Sequence, residues 1–276
     1  MWPVLLAPPT VPFTVQAYPV VLALTVVLGT SVALLVARRV DGLGSRQVLG
    51  ALLLLSLAGL FGARLHFRLA HGSDGPGGGP FWAVWDGGLH AAGGILGLMV
   101  TLPLIARWCC LPLRAFADVV AVAGAFAMGL YRIGCLLRGC CIGHLCRYPW
   151  CLPYPRTSYA FFLHANEGVV APDAAFSAPV HPLPLYYLAV AWSLAACGVW
   201  LLPRRRYVGE VAMLTVFGFT AAMVILEPFR AVTPDTVFWG GRPQLLVAAV
   251  LLALATGLLL VITGWLARRA PAGEHT

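Results

Sequence analysis

One segment decides the fold, residues 115–137, and it reads AFADVVAVAGAFAMGLYRIGCLL. A run of about 20 mostly apolar residues is long enough to cross the roughly 30 Å hydrocarbon core of a bilayer as a helix. Arg132 lies near the end of this run, where an arginine is costly to keep in lipid and is retained for function more often than by chance. The segment therefore predicts a membrane-spanning helix that contributes to a site.

The composition predicts an all-α, polytopic membrane protein and excludes an ordinary water-soluble domain. Hydrophobic residues make up 60% of the 276 residues and charged residues only 10%, and the mean hydropathy is +0.86, far from the average soluble protein. We expect a single integral membrane domain over residues 1–276, with about seven transmembrane helices. The apolar runs are 18–37, 47–70, 88–106, 115–137, 181–202, 208–229 and 244–267.

The arginines predict the orientation of the chain. All 18 basic side chains are arginines, and ten of them follow predicted spans one, three, five and seven. Positively charged ends face the cytoplasm, so we expect the N-terminus outside and the C-terminus in the cytoplasm. The other eight fall near the outer face, where guanidinium groups from several helices would suit the phosphate of an anionic phospholipid. These eight are Arg64, Arg68, Arg132, Arg138, Arg147, Arg156, Arg230 and Arg242.

A long segment between spans four and five, residues 138–180, is rich in proline, cysteine and aromatic side chains. We expect it to form an outer arm, because loops of this length tend to be lids or binding segments. A disulfide such as Cys146 to Cys151, or free thiols, is favoured over zinc on Cys141, His144 and Cys146, because paired Cys-x2-Cys knuckles are missing from the sequence. The sequence therefore predicts no metal site and no cofactor.

Two further places in the sequence carry candidate chemistry. His90, in the glycine-rich start of span three, could act as a general base near neutral pH, although a lone histidine near a helix end is more often interfacial. Glu227 and Arg230, at i and i+3, either neutralise each other for insertion or belong to a binding site. Arg132 and Cys135 also share a helix face, which puts a guanidinium beside a thiol.

A series of short motifs runs nearly from one end of the chain to the other. In order, the motifs are Tyr18, Gly62-Ala63-Arg64, Trp85-Asp86-Gly87-Gly88-Leu89, Gly93-Gly94, Gly129-x-x-Arg132-Ile133-Gly134, Gly139, Gly143, His181-Pro182, Leu185-Tyr186, Glu227-x-x-Arg230 and Gln244. This ordered series resembles the prolipoprotein diacylglyceryl transferases of bacterial inner membranes. The order of the motifs is far more specific than any one of them.

The resemblance implies seven spans in the bacterial plasma membrane, an outside N-terminus and an active site toward the outer face. The implied reaction passes diacylglycerol from phosphatidylglycerol to the lipobox cysteine of a prolipoprotein and releases glycerol phosphate. The expected partners are phosphatidylglycerol or another anionic phospholipid, the prolipoprotein lipobox segment and the membrane, with no nucleic acid. The candidate catalytic residues are Arg132, His90, Glu227 and Tyr18. The candidate substrate-binding residues are Arg132, Arg138, Gly93, Gly94, Gly139, Gly143, Arg64, Arg230, His181 and Tyr186.

In such a site Arg132 would hold the phosphate, Glu227 and Arg230 would orient the site, and Tyr18 would contact the lipid or the leaving group. Four positions differ from the family pattern, since its usual His, Asn, Glu and Arg are replaced in this chain. His90 or a site thiol would then take over proton transfer. Two alternatives are a protein that binds anionic phospholipid without transfer, and a thiol-based redox or metal role centred on Cys135, Cys140 and Cys141. The replacing residues are Ala92, Cys135, Cys140 and Met223.

Overall fold

The structure, a computed structural model, describes residues 4–6, 15–40, 42–72, 80–82, 88–89 and 91–231. Apart from two short paired strands, the regular elements in these ranges are helices, which confirms the predicted helical membrane protein. The helices are α1 (Ala17–Ala37), α2 (Ser45–His71), α3 (Ala91–Trp108), α4 (Leu113–Arg138), α5 (Tyr159–Asn166), α6 (Leu183–Leu201) and α7 (Glu210–Leu226). The antiparallel strands are β1 (Val4–Leu6) and β2 (Val15–Gln16), and 3-10 turns follow α6 (Leu202–Arg204) and α7 (Glu227–Phe229).

Five of the described helices are long and apolar enough to cross a membrane. A sixth apolar helix, Gly93–Trp108, is shorter, and the predicted span at 244–267 lies outside the described residues. The orientation and the total of seven spans therefore stay predictions. The membrane-crossing segments are Val20–Ala37, Ser45–Leu69, Leu113–Arg138, Leu183–Arg204 and Glu210–Phe229.

Burial along the helices follows the pattern of a protein packed in lipid. On α2, Ala51 is fully buried, whereas Leu53 and Leu57 are 60% and 64% exposed. Large apolar side chains that face outward are favourable only in an apolar solvent, and small residues let neighbouring helices approach closely. Because helices satisfy their own backbone hydrogen bonds, they can occupy the hydrocarbon region.

The chain divides into two compact units. The first unit comprises residues 1–32 and 121–276, and the second comprises residues 33–120. The expectation of a single integral membrane domain stays a prediction.

In the second unit, α2 and α3 pack through glycines. A Cβ built at Gly62 would lie 2.5 Å from the Gly93 carbonyl oxygen, and one at Gly97 would lie 2.7 Å from the Ala58 carbonyl oxygen. Such distances leave no room for a side chain, so the two helix backbones are in direct contact. The glycine-rich sequence at the start of α3 therefore serves helix packing.

Arg64 is the largest fully buried side chain described in the structure. It lies in α2 and donates hydrogen bonds to the carbonyl oxygens of Pro80 (2.8 Å), Phe81 (3.2 Å) and Gly88 (3.3 Å). Backbone acceptors thus offset the desolvation of its charge and tie the described parts of the 72–90 connection to α2. The substrate-binding role assigned to Arg64 from the sequence stays a prediction.

The segment between α4 and α6 is folded rather than extended. Ile142, Tyr154, Ala160 and Val180 form a small buried core, and Ser158 caps α5 by accepting a hydrogen bond from the Phe161 N–H at 3.2 Å. A disulfide links Cys146 to Cys151, whose Cα atoms are 5.9 Å apart. The disulfide expected at this pair is therefore confirmed. The outer-face location of the arm stays a prediction.

The α2–α3 contact gives a first prediction. Gly97→Val should destabilise the protein by about 1–3 kcal/mol, because overpacking forces two backbones apart. Gly50→Val is the matched control on α2, since a Cβ there meets nothing within 4 Å. Thermal unfolding in detergent would measure both variants, and equal losses of stability would contradict the close helix contact.

The arm gives a second prediction, which concerns pH. His164 is buried, its Nδ1 has no hydrogen-bond partner among the described residues, and burial lowers its pKa from 6.5. A lowered pKa in the folded state means that stability is complete above the unfolded pKa and is lost as the pH falls through the folded value. Amide protection factors in the arm, corrected for the intrinsic pH dependence of exchange, should therefore decrease as the pH is lowered from about 7.5 to 5. His164→Gln should reduce that decrease, whereas His144→Gln, at an exposed position, should preserve it.

Candidate functional site

Three chain segments of the first unit are joined by backbone hydrogen bonds where α4 and α7 end and α6 begins. The Gly143 N–H donates to the His181 carbonyl oxygen at 3.1 Å, and the His181 N–H donates to the His144 carbonyl oxygen at 3.1 Å. The His144 N–H donates to the Phe229 carbonyl oxygen at 2.8 Å. We call residues 142–144, 180–182 and 229–231 the junction. The junction fixes the ends of three membrane helices relative to one another.

Gly143 lies at the centre of the junction and pairs with Arg230 in an isolated antiparallel bridge. A Cβ at this position would lie 2.5 Å from the His181 Cβ and 2.7 Å from the Phe229 carbonyl oxygen. Only glycine lets the three backbones come this close. This gives a physical reason for the glycine that the sequence singled out at 143.

The end of α4 turns back on itself and gathers three thiols. Gly139 has a left-handed φ of +71°, and its N–H and that of Cys140 both donate to the Cys135 carbonyl oxygen, at 3.0 and 3.2 Å. Cys141 follows with a φ of +57°, a conformation that costs energy in a residue with a side chain. The sulfurs of Cys135, Cys140 and Cys141 consequently all lie within 4.8 Å of one another. We call these three residues the thiol cluster.

Arg132 precedes Cys135 by one helical turn. Its Cζ lies 4.5 Å from the centroid of the Tyr187 ring and 5.9 Å from that of the Tyr131 ring. These cation–π contacts stabilise the charge but provide no hydrogen-bond acceptor. The Nε atom is buried and has no hydrogen-bond partner within the described part of the chain. A buried donor without an acceptor costs about 1–3 kcal/mol, so this atom calls for a ligand that carries one.

Charges from α4 and from the end of α7 meet around Tyr187. Arg132, Arg230 and Glu227 all interact electrostatically with the Tyr187 hydroxyl, and Arg230 also acts on Cys141. The Arg230 N–H donates to the Glu227 carbonyl oxygen at 3.0 Å, which fixes their spacing in the 3-10 turn. Two guanidinium groups and a carboxylate thus act electrostatically on one phenol.

His181 lies in an aromatic cluster beside the disulfide. Its Nδ1 is 3.2 Å from the Tyr186 hydroxyl oxygen, and its ring meets the Phe229 ring edge-on with centroids 5.2 Å apart. The disulfide sulfurs lie within 4.8 Å of a ring nitrogen of His181. His181 therefore packs the arm against the junction.

Within the thiol cluster, the pKa values of Cys140 and Cys141 are shifted in opposite directions. Hydrogen bonds from Cys135 and then Cys140 hold the pKa of the Cys141 thiol well below its usual value, and the charges of Arg132 and Arg230 act in the same direction. The pKa of Cys140 is raised, first by its hydrogen bond with Cys135 and then by that with Cys141. The cluster can therefore hold a negative charge on sulfur next to two guanidinium groups.

The structure places most of the sequence-predicted site residues in the first unit, near the junction, and some in the second. Arg138 is exposed at the end of α4. Tyr18 lies in the first turn of α1, where its side chain is not described, and His90 lies outside the described residues. The residues around the junction and the turn after α4 are Arg132, Gly139, Gly143, His181, Tyr186, Glu227 and Arg230, and those of the second unit are Arg64, Gly93 and Gly94.

The sequence did not single out Tyr187, and it indicated Cys141 only as a possible metal or redox thiol. Tyr187 directly follows the predicted Tyr186, but only the packing of α6 against α4 reveals that its ring covers Arg132. The vicinal pair Cys140-Cys141 was visible in the sequence, whereas the two left-handed residues that turn it back toward Cys135 were not.

Together, the fold and the junction define a multi-pass helical membrane protein with a buried, cationic and thiol-rich site at the ends of its helices. The chain belongs to the prolipoprotein diacylglyceryl transferase family, whose model matches residues 3–266. The resemblance drawn from the ordered motifs is thereby confirmed.

Several relatives carry the name phosphatidylglycerol–prolipoprotein diacylglyceryl transferase. The protein of Chromohalobacter salexigens is 28% identical over 227 residues, which cover 78% of this chain and 78% of that protein. The protein of Escherichia coli O1:K1 / APEC is 28% identical over 196 residues, covering 68% of this chain and 66% of the relative. The protein of Shigella boydii serotype 18 matches to the same extent.

The junction gives a third prediction. Gly143→Ala should lower the thermal midpoint and weaken retention of phosphatidylglycerol, because the added methyl group would push α6 and the end of α7 away from Arg132. Gly124→Ala is the matched control, since a Cβ at that α4 position meets nothing within 4 Å. If both variants keep the wild-type midpoint and the wild-type lipid content, the junction does not hold the site together.

Proposed function

We propose that the protein transfers the diacylglyceryl group of phosphatidylglycerol to the lipobox cysteine of prolipoproteins at the outer face of the bacterial plasma membrane. Membership of the family and the names of the relatives support this reaction. The single observation that carries the proposal is the buried Nε of Arg132, which has no acceptor among the described residues. A phosphate oxygen of the lipid would supply that acceptor.

The proposed transfer reaction requires a positively charged site that holds the phosphate. The thiolate of the lipobox cysteine attacks the terminal glycerol carbon of diacylglycerol, forming a C–S bond as the C–O bond to phosphate breaks. Glycerol phosphate leaves with the electron pair, so negative charge increases on the phosphate in the transition state. Donors that are already in position at that charge lower the barrier most, because they need not reorganise during the reaction.

Arg132 and Arg230 are the proposed phosphate-binding residues. Tyr187 holds the Arg132 guanidinium by its ring face at 4.5 Å and leaves its Nε–H for an anion. Arg230 follows the 3-10 turn that begins at Glu227, and the junction fixes its backbone through Gly143. Glu227 is proposed to orient the arginines and Tyr18 to contact the lipid or the leaving group.

The residues available to remove the proton from the lipobox thiol differ here from those of the family pattern. Ala92 and Cys140 replace a histidine and a carboxylate that the family usually carries. His90 is the sequence-based candidate for the base. The thiol cluster is the candidate that lies beside the arginines, because Cys141 interacts electrostatically with both Arg132 and Arg230.

The fourth prediction tests this function in vitro. Purified protein, phosphatidylglycerol and a synthetic lipobox peptide should give a peptide heavier by one diacylglyceryl group, as read by mass spectrometry. Arg132→Gln should reduce the rate by about 10²–10³-fold, the loss typical of removing one transition-state donor. Arg204→Gln is the matched control, because Arg204 is exposed and stacks on Trp200.

A correctly inserted wild-type protein that leaves the peptide unmodified would contradict the proposed transfer. If that protein still retained phosphatidylglycerol through Arg132, the alternative of anionic lipid binding without transfer would take its place.

A further inference from the structure

The thiol cluster is separate from the disulfide of the arm. Cys146 and Cys151 are paired with each other, whereas Cys135, Cys140 and Cys141 are free thiols. Cys135 is fully buried, and the other two are partly buried. Three converging free thiols are a recurrent ligand set for zinc.

The backbone is bent at some cost to form this cluster. Cys141 has a φ of +57° and Gly139 has a φ of +71°. A left-handed residue with a side chain persists when surrounding structure imposes it, and such residues concentrate at functional sites. Here the two left-handed residues bring the sulfurs of Cys140 and Cys141 within 4.8 Å of that of Cys135.

A second observation points to a charged occupant of the cluster. Tyr154 is fully buried, and its hydroxyl has no hydrogen-bond partner among the described residues. The same hydroxyl interacts electrostatically with all three cysteines of the cluster. Because none of the described residues accepts a hydrogen bond from this buried O–H, it remains a donor for a group bound near the cluster.

The distances suit zinc. In a tetrahedral site each sulfur lies about 2.3 Å from the metal, which puts the sulfurs roughly 3.8 Å apart. The observed sulfurs meet that spacing with small rotations of their side chains, since all lie within 4.8 Å of one another. Three thiolates on Zn²⁺ carry a net negative charge, and Arg132 and Arg230 provide the neighbouring positive charges.

We propose that Cys135, Cys140 and Cys141 bind one Zn²⁺ ion whose fourth coordination position takes the lipobox thiol of the substrate. Catalytic zinc sites keep such an open position, and a thiol that coordinates a metal is deprotonated outright. Zinc would thus produce the thiolate nucleophile. The family usually carries a histidine and a carboxylate for this step, at the positions that are Ala92 and Cys140 here. The inference rests on the proposed function and replaces the expectation of no metal site.

The step balances without an oxidant or a reductant. The lipobox S–H loses its proton to solvent when the sulfur binds zinc. The zinc-bound sulfur then forms the C–S bond, while the C–O bond to phosphate breaks and its electron pair goes to the phosphate oxygen. Glycerol phosphate leaves on the side of Arg132 and Arg230, and the thioether product, a weak zinc ligand, dissociates.

The binding test uses the full chain in detergent, reduced and then incubated with Zn²⁺ alone. Zinc should bind with a stoichiometry of about one per chain, and Co²⁺ in its place should give a thiolate-to-metal charge-transfer band. Zinc should also protect Cys140 and Cys141 from a maleimide, as read by peptide mass spectrometry, while Cys110, exposed between α3 and α4, stays reactive. Because this protection is measured on the wild-type protein, it does not depend on whether a variant folds.

Cys140→Ser should weaken zinc binding by at least about tenfold and abolish the cobalt band. Cys197→Ser, at an exposed position on α6, is the matched control and should change neither. Maleimide labelling of the cluster that zinc does not alter would overturn the proposal. A disulfide between two of the three thiols in the active protein would overturn it as well.

An activity measurement distinguishes failure of the zinc step from failure of the proposed function. Removal of zinc with a chelator should abolish peptide modification, and added Zn²⁺ should restore it. Undiminished transfer by zinc-free protein would overturn the zinc step and leave the transferase function intact. If zinc binds and the peptide stays unmodified with and without it, the proposed function fails, and the zinc-thiol step fails with it.

Discussion

A guanidinium group held inside an apolar helix bundle is the constraint that the first unit has to satisfy. Arg132 lies in α4, with the Tyr187 ring over its Cζ and an Nε that has no acceptor among the described residues. Unpaired charge and unmet donors are costly in such surroundings, so the neighbouring groups must compensate or a ligand must. Cation–π contacts with Tyr131 and Tyr187 and the nearby thiols supply part of that compensation. In the proposed function, an anionic phosphate supplies the rest.

Backbone contacts, rather than side-chain pairing, position the groups around Arg132. The junction ties the end of α4 to the start of α6 and the end of α7 through peptide hydrogen bonds of 2.8 to 3.2 Å. Gly143 allows this approach, and the disulfide packs the arm on His181. A site built in this way keeps its geometry when side chains change. For that reason, Cys135 and Cys140 can replace polar residues of the family pattern while the backbone scaffold stays unchanged.

The sequence predicts the spans well, because the length and the apolar character of a segment decide whether it can cross a bilayer. The run at 115–137 corresponds to α4 (Leu113–Arg138), and the run at 181–202 corresponds to α6 (Leu183–Leu201). Single residues of the site are harder to predict, because their meeting depends on turns. The thiol cluster depends on left-handed backbone at Gly139 and Cys141, which cysteine spacing does not reveal. Arg64 shows the same limit, since the sequence does not reveal the three backbone carbonyls that its guanidinium binds.

The central claim is that the Arg132 guanidinium binds the phosphate of an anionic phospholipid, and native mass spectrometry tests it most directly. The purified protein is equilibrated with an equal mixture of phosphatidylglycerol and phosphatidylcholine of the same acyl chains, and the retained adducts are weighed. We expect the wild-type protein and Arg204→Gln to retain phosphatidylglycerol preferentially, and Arg132→Gln to lose that preference. Equal retention of phosphatidylglycerol by the wild-type protein and Arg132→Gln would contradict the account.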